Sequence, residues 1–185
     1  MRLYALCDQE LLNKHNISIQ EYINIAKKNN AEIIQYRYKD GEISNVKQNL
    51  LYIRELYDGI LIINDFYRLV EFCDGLHLGQ EDLVKINKNK KEAVKFLRDN
   101  FLMKKYLGLS THNIDEINEA NNLDLDYIGL GAYRNTSTKK INNLLGENLD
   151  TLAASSQHKV AAIGGVHKND VFNNVTYHVI GSGLL

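Results

Sequence analysis

Eight short apolar segments recur along the chain, and amphipathic segments separate several of them. The apolar segments are residues 3–6, 33–38, 60–63, 75–78, 106–109, 127–130, 160–163 and 177–180. Most of them are continuously apolar, which is typical of parallel strands that are covered on both faces. The pattern therefore predicts a parallel sheet buried between helices.

The amphipathic segments predict helices at residues 19–28, 46–57, 114–120 and 142–154. Asn113 immediately precedes the third of them and is a plausible N-cap. Strand followed by helix, repeated about eight times, indicates the α/β class and a (β/α)8 TIM barrel. The alternative is a doubly wound open sheet, which would need only five or six of these strands.

The chain is short for such a barrel, with 185 residues against a usual length of about 250. The eighth apolar segment ends at Ile180, only five residues before the end of the sequence. We therefore expect one TIM-barrel domain over residues 1–185 that lacks the final helix. Without that helix the seam between the last strand and the first would be exposed, and we hypothesise that a homodimer or the chain end covers it.

Composition narrows the class of protein. The net charge of −1 does not indicate nucleic-acid or membrane partners, and the two cysteines exclude a disulfide framework. There is no apolar run of about 18 residues and no signal-peptide pattern at the start. We expect a cytoplasmic protein that acts on small molecules.

Polar residues gather where the apolar segments stop, and in a barrel these carboxyl ends form the face that carries active sites. The second segment contains Gln35 and Arg37 and is followed by Lys39. Strand alternation predicts that these three side chains point the same way and meet an anionic ligand. The alternative is a strand edge with solvated charges, although Arg37 would be costly to bury unpaired.

Two acids follow the third and fourth segments. Asp65 comes directly after Asn64, where a carboxylate is either a helix N-cap or a metal ligand. Asp82 follows the fourth segment, and together the two acids could hold one Mg²⁺, which binds few carboxylates and keeps its other positions for phosphate oxygens and water. With Arg37 and Lys39 beside them, the acids predict a pyrophosphate site.

The fifth and sixth segments are followed by hydroxyl groups and one lysine. Ser110 and His112 are two residues apart with no acid adjacent in sequence, so a catalytic triad is not expected and Ser110 is predicted to bind a ligand. Thr136, Thr138 and Lys139 fit either phosphate recognition or an ordinary polar loop.

The last two segments end in glycines. Gly164 and Gly165 follow the seventh, and Gly181 and Ser182 follow the eighth. In (β/α)8 enzymes a phosphate often lies between these two loops, held by backbone N–H groups. The sequence therefore predicts two anion sites, which suits two phosphorylated substrates or one that is phosphorylated at both ends.

Seven motifs occur in order: QYRYKD, INDFYRL, DGLHLGQEDL, LGLSTHN, DYIGLGAYRNTSTK, AAIGGV and VIGSG. Together they resemble the thiamine phosphate synthase/TenI superfamily of (β/α)8 barrels, from about residue 3 to residue 182. The resemblance implies a transferase of thiamine biosynthesis. It would condense 4-amino-5-hydroxymethyl-2-methylpyrimidine pyrophosphate with hydroxyethylthiazole phosphate to give thiamine phosphate and pyrophosphate.

The resemblance also implies a role for each candidate residue. The pyrimidine would contact Gln35 and Ser110. The pyrophosphate would be held by Arg37, Lys39, Asn64 and Lys139. The Mg²⁺ ligands would be Asp65 and Asp82. The thiazole phosphate would be bound by Thr136, Thr138, Gly165, Gly181 and Ser182. Those implied to act in catalysis are Arg37, Lys39, Lys139 and Ser110.

Two alternatives stay open at this point. One is the thiazole tautomerase branch of the same superfamily, in which His112 would be the acid–base group. Gln35, Gln80 and Asp82 match the synthase pattern and would have no role there. The other is a non-catalytic relic that binds a thiamine precursor, and the complete set of acids and cations argues against it.

Overall fold

The computed structural model describes residues 2–135 and 144–185, and they form a closed barrel of eight parallel strands. The strands are β1 (Arg2–Asp8), β2 (Ile33–Arg37), β3 (Ile60–Asn64), β4 (Gly75–Leu78), β5 (Tyr106–Thr111), β6 (Tyr127–Leu130), β7 (Lys159–Ala162) and β8 (Tyr177–Ile180). They follow one another in chain order around the barrel. The predicted TIM barrel is confirmed, and the open sheet is excluded.

The helices of the described residues lie outside the strands. They are α1 (Gln9–His15), α2 (Ile19–Lys28), α3 (Ile43–Leu56), α4 (Gln80–Ile86), α5 (Lys90–Asn100), α6 (Ile114–Ala120) and α7 (Asn148–Ala153). Two short 3₁₀ helices span Tyr67–Phe72 and Ser182–Leu184. The bounds of α2 and α6 are those the sequence predicts, whereas α1, α4 and α5 were not predicted. None of the helices in the described ranges combines the length and apolar character that a membrane crossing needs.

The seam between the last and first strands is closed by pairing. β8 pairs in parallel with β1, from Arg2 opposite Tyr177 to Ala5 opposite Ile180. After β8 the chain turns into the 3₁₀ helix Ser182–Leu184, whose Leu184 is buried. The homodimer expected at this seam stays a prediction.

The strands bury both of their faces, which explains their continuous apolar runs. The outer faces pack against the helices, as Ile34 and Leu61 do with Ile23 and Leu50. The inner faces form a separate core inside the barrel, made of Tyr4, Ile33, Ile62, Tyr127, Ala161, Tyr177 and Val179.

Three tyrosines fill much of the barrel interior. The ring of Tyr4 meets those of Tyr127 and Tyr177 at 62° and 85°, with centroids 5.9 and 6.3 Å apart. Gly108 lies opposite Tyr127 on the neighbouring strand, and a β-carbon at Gly108 would lie 2.1 Å from the Tyr127 ring. Because glycine has no side chain, Gly108 on β5 leaves room for the large ring of Tyr127 on β6. Phenolic hydroxyls buried in this way need hydrogen-bond partners.

The amino ends of the strands are held by two arrangements that we call the Arg–Asp clamps. In one, Asp126 precedes β6 and accepts hydrogen bonds from the backbone N–H of Leu107 and from Arg98, both at 2.8 Å. Arg98, on α5, also donates to the carbonyl of Lys105 at 2.7 Å. One carboxylate therefore ties a helix to the start of two neighbouring strands.

The second clamp repeats the first on an earlier part of the barrel. Asp74 precedes β4, accepts from the backbone N–H of Leu61 at 2.8 Å, and pairs with Arg54 of α3. Arg54 also donates to the carbonyl of Gly59 at 3.0 Å. Both clamps lie at the end of the barrel opposite to the carboxyl ends of the strands.

We expect Asp126→Ala to lower the free energy of unfolding by about 1–2 kcal/mol, because the N–H of Leu107 and the guanidinium of Arg98 lose a charged acceptor. Urea denaturation of both proteins measures this difference. Asp124→Ala is the matched control, since its carboxylate also pairs with Arg98 but is 78% exposed. That control should change stability by less than about 0.5 kcal/mol. Equal losses in the two variants would contradict the clamp.

Candidate active site

The carboxyl ends of β1, β2 and β3 bring several predicted residues to one rim. Gln35 is buried in the barrel, where its side-chain nitrogen donates to the Tyr4 hydroxyl at 2.7 Å. Arg37 ends β2, and Asn64, which is buried, ends β3. Lys39 lies beyond the strand in an exposed turn, so strand alternation does not orient it as the sequence predicted.

Arg37 is held in place by an ion pair with Asp8, which lies opposite it at the end of β1. The Asp8 side chain is 2% exposed, and its other oxygen accepts from the backbone N–H of Leu11 at 3.0 Å as the N-cap of α1. The Arg37 side chain is about a quarter exposed, and its guanidinium has further N–H groups to donate. Arg37 is therefore a fixed cation at the rim that can still bind an anion.

Asp65 follows β3 with a φ of 65°, and its carboxylate accepts from the side chain of Asn64 at 2.5 Å. It does not cap a helix, because the 3₁₀ helix Tyr67–Phe72 has Phe66 at its N-cap. Burial and the negative charge of Asp82 raise the pKa of Asp65 to about 6, while Arg37 acts in the opposite direction. The two acids and Arg37 thus share one electrostatic environment.

The sequence suggested that Asp82 lies at the end of a strand. It lies instead in the first turn of α4. Its Oδ1 accepts from Lys85 at 2.7 Å, and a β-carbon on Gly79 would lie 3.0 Å from its Oδ2. The backbone of Gly79 also acts to lower the pKa of Asp65. Gly79 therefore lies close to both acids.

Two carboxylates that repel each other at a rim are suited to a divalent cation. Within residues 2–135 and 144–185, no group of three or more His, Cys, Asp or Glu side chains could hold a metal. Magnesium needs only one or two carboxylates, since phosphate oxygens and water complete its shell. The donor set of Asp65 and Asp82 fits that ion.

We expect Asp65→Asn to stabilise the metal-free protein at pH 7 by about 1 kcal/mol, a value reduced for the partial exposure of the carboxyl. The pKa of Asp65 is about 6 when folded against 3.8 in its ordinary state, so the folded protein binds the proton more tightly. Stability therefore falls as the pH rises between these values, and the penalty is complete above pH 6.

Urea denaturation at pH 7 and near pH 4 measures this gain, which should disappear at the lower pH because Asp65 is then protonated. Asparagine suits the site because it tolerates the left-handed φ of residue 65. An equal gain at both pH values would show that the charge is not the cause.

Hydrogen bonds join Gln35 to Ser110 through the barrel, in what we call the interior chain: Gln35, Tyr4, Tyr127, His77 and Ser110. The Tyr4 and Tyr127 hydroxyls are 2.8 Å apart, and the Tyr127 hydroxyl is 3.0 Å from Nδ1 of His77. Nε2 of His77 is 3.0 Å from Oγ of Ser110. Burial lowers the pKa of His77 to about 4, so its ring is neutral at pH 7.

Sequence reasoning did not identify His77 as a site residue. It also compared Ser110 only with His112, two residues away. The five members of the interior chain occupy inward positions on five strands. The alternation of inward and outward residues along each strand was the sequence signal that could have identified them as neighbours.

His112 lies at the rim with about half of its side chain exposed, and its Nδ1 is 2.8 Å from Oε2 of Glu116. The sequence showed no acid adjacent to His112, but the first turn of α6 brings this one to it. Asn113 is the N-cap that the sequence predicted, since its Oδ1 accepts from the backbone N–H of Glu116 at 2.9 Å. His112 and Glu116 therefore form an acid–base pair.

The loop after β7 is fastened to the loop after β6. Gly164 and Gly165 have φ values of 86° and 66°, and the carbonyl of Gly165 accepts from Arg134 at 3.0 Å. Arg134 also binds both carboxylate oxygens of Asp170, at 2.7 and 2.8 Å. A β-carbon on Gly165 would lie 2.7 Å from that of Arg134, so only glycine fits this turn.

The remaining predicted residues divide into two groups. Gly181 and Ser182 follow β8, the strand next to β7, and Ser182 is exposed. Their position beside the Gly164–Gly165 turn is the one the sequence predicted for a phosphate. Thr136, Thr138 and Lys139 lie outside the described residues.

Comparison with known proteins decides the family. The family model described as thiamine monophosphate synthase matches residues 3–181. This chain belongs to the thiamine monophosphate synthase family. The superfamily that the motifs indicated is thereby confirmed.

Individual relatives agree with the family assignment. The thiamine-phosphate synthase of Prochlorococcus marinus (strain AS9601) is 34% identical over 175 residues, which are 91% of this chain and 46% of that protein. The thiamine-phosphate synthase of Persephonella marina (strain DSM 14350 / EX-H1) is 32% identical over 177 residues, covering 92% of this chain and 79% of that one. The chain thus spans about half of the first relative and about four-fifths of the second.

A solved structure shares the fold. Thiamine phosphate pyrophosphorylase from Pyrococcus furiosus superposes with a TM-score of 0.75 and 22% sequence identity. The match covers 98% of this chain and 85% of that one. At this level of identity the likeness is evidence for the TIM barrel alone.

Proposed function

We propose that this member of the thiamine monophosphate synthase family condenses 4-amino-5-hydroxymethyl-2-methylpyrimidine pyrophosphate with hydroxyethylthiazole phosphate. The products are thiamine phosphate and pyrophosphate. The observation that carries the proposal is the meeting of Arg37, Asp65 and Asp82 at one rim, where Arg37 and Asp82 both act on the pKa of Asp65. A fixed cation beside two repelling carboxylates suits a pyrophosphate bound together with a divalent cation.

Departure of pyrophosphate is the step that needs most help from the protein. The bond between the pyrimidine methylene carbon and the pyrophosphate oxygen breaks, and the electron-rich aminopyrimidine stabilises the resulting cation. Arg37, with Lys39, Asn64 and Lys139 in the same role, holds the departing anion. Asp65 and Asp82 would hold Mg²⁺, which when bound neutralises charge on the pyrophosphate.

The thiazole nitrogen then forms a bond to the methylene carbon, so no protein nucleophile is required. The surroundings of Ser110 agree with this. Its partner His77 is kept neutral by burial, and the other ring nitrogen of His77 meets a tyrosine hydroxyl and not a carboxylate. Such a histidine is a weak base, unlike that of a catalytic triad.

The second substrate would bind through its phosphate at the loops after β7 and β8. We assign this role to Gly165, Gly181 and Ser182, with Thr136 and Thr138 from the loop after β6. The contact of Arg134 with Gly165 supports the assignment, because it fixes the turn whose N–H groups would face the phosphate. Holding both substrates at one rim supplies much of the rate enhancement.

Mixing the purified protein with both substrates and Mg²⁺, and measuring thiamine phosphate by mass, tests the proposal. Product that depends on both substrates supports it. Absence of product, when the pyrimidine pyrophosphate still binds with Mg²⁺, contradicts it.

The pair of His112 and Glu116 favours a thiazole tautomerase as the second candidate, because it joins an imidazole to a carboxylate. Incubation with the thiazole carboxylate phosphate alone tests this candidate. Isomerisation that is lost in His112→Gln would support it over the condensation.

A further inference from the structure

The interior chain has a direction, because each hydroxyl has only one proton to donate. The side-chain nitrogen of Gln35 donates to the Tyr4 hydroxyl, and the Tyr4 proton, which is buried, then has the Tyr127 hydroxyl as its acceptor. Tyr127 then donates to Nδ1 of His77. The direction of the first bond thus determines the next two.

His77 transmits this direction to the rim. Its ring is buried, both of its partners are neutral hydroxyls, and it therefore carries a single ring proton. Because Nδ1 accepts from Tyr127, that proton must be on Nε2, where it is donated to Oγ of Ser110. The Ser110 hydroxyl is then free to donate its own proton into the mouth of the barrel.

We propose that the interior chain fixes the tautomer of His77 and so makes Ser110 a hydrogen-bond donor to the bound ligand, with Tyr4 and Tyr127 as positioning residues. The direction of the interior chain follows from the donor at Gln35 and from the burial of Tyr4 and Tyr127. That the ligand is an aminopyrimidine rests on the proposed function.

The resulting pattern suits that ligand. An aminopyrimidine offers ring nitrogens, which accept hydrogen bonds, and an exocyclic amino group, which donates them. The Ser110 hydroxyl supplies the donor. The Gln35 side chain supplies the acceptor, because its nitrogen is engaged with Tyr4 and its oxygen has no hydrogen-bond partner among residues 2–135 and 144–185. The reversed interior chain would present lone pairs of Ser110 to a ring nitrogen and N–H groups of Gln35 to the amino group.

Because its members are buried, the hydrogen bonds of the interior chain must all run in the same direction. Tyr4, Gln35, His77 and Tyr127 are all buried, so a link with two donors or two acceptors would leave an unsatisfied polar group in the interior. Only two arrangements satisfy every link and also give each buried tyrosine proton an acceptor: the one described, and its complete reversal with the Gln35 amide turned over. A change at Tyr127 is therefore expected to be felt at Ser110, two links away.

Nitrogen NMR of the ligand-free protein with ¹⁵N-labelled histidine tests the direction. For His77 we expect an unprotonated Nδ1 and a protonated Nε2, with His77→Gln identifying the signal among the six histidines. Tyr127→Phe removes the donor to Nδ1 and should shift the population towards the Nδ1–H form. Tyr177→Phe is the matched control, since Tyr177 packs against Tyr4 but is not a member of the chain. The opposite tautomer in the wild type overturns the proposal.

Steady-state kinetics tests the consequence for the ligand. Tyr127→Phe and Tyr4→Phe should each raise KM for the pyrimidine substrate about tenfold, the effect of one misdirected hydrogen bond. The KM for the thiazole substrate and the kinetics of Tyr177→Phe should not change. A His77 tautomer and a pyrimidine KM that are both unaffected in Tyr127→Phe would overturn the proposal. If His77 is protonated at Nε2 but the protein forms no thiamine phosphate, the result would contradict the proposed function and support the direction of the interior chain.

Discussion

The Asp82→Ala variant should lose at least about 10³-fold in kcat/KM for thiamine phosphate formation, because the departing pyrophosphate loses much of its charge stabilisation. The variant leaves Asp65 as the one acid of the pair, and a single carboxylate binds Mg²⁺ weakly. Initial rates over a range of Mg²⁺ concentrations measure the effect. We expect high Mg²⁺ to restore part of the activity, since the loss is one of metal affinity.

Glu81→Ala is the matched control for this experiment. Glu81 is the neighbour of Asp82 in the first turn of α4, it is exposed, and its removal changes the net charge by the same amount. It should keep nearly all of the activity. Equal losses of kcat/KM in the two variants would show that the charge at the start of α4 is the cause. An unchanged kcat/KM in Asp82→Ala would show that Asp82 does not bind the metal.

Arg37→Gln should lower kcat/KM by about 10²–10³-fold, the usual cost of removing one preorganised donor from a developing anion. The same change leaves the buried carboxylate of Asp8 without its cation, so part of the loss could come from the fold. The double variant Asp8→Asn/Arg37→Gln removes both charges and should recover stability without recovering activity.

Binding of pyrophosphate with Mg²⁺, measured by calorimetry, separates the causes further. Arg37→Gln should weaken this binding, and Arg68→Gln should not, because Arg68 is exposed on the 3₁₀ helix after β3. If the double variant regains activity together with stability, Arg37 serves the fold and not the substrate.

The strands could be predicted because a parallel barrel buries both faces of each strand, which leaves runs such as Ile60–Asn64 nearly free of polar residues. Helix α5 was missed for a physical reason. Its buried stripe is Ala93, Val94 and Leu97, and charged or polar residues fill every other position except that of the exposed Phe96. Its amphipathic period is therefore hidden in a segment of high average polarity.

The site could be predicted as far as it follows from the ends of strands, which was enough for Arg37 and Asp65. Contacts across the barrel interior could not be predicted, because the residues that meet there are far apart in the sequence. Tyr4 and Tyr127 share a hydrogen bond and are 123 residues apart. The same reason explains why Ser110 was compared with His112, when its partner is His77 from another strand.

The Arg–Asp clamps also bear on the ancestry of the barrel. In each clamp an arginine donates to the carbonyl of the residue just before a strand, which is β3 in one clamp and β5 in the other. The aspartate that precedes the following strand, β4 or β6, accepts from the N–H of the second residue of β3 or β5. The repeat is invisible as sequence similarity but recurs with a period of two strands. Duplication of an ancestral two-stranded unit would leave this trace, and units that share such a joint are natural boundaries for building chimaeric barrels from related proteins.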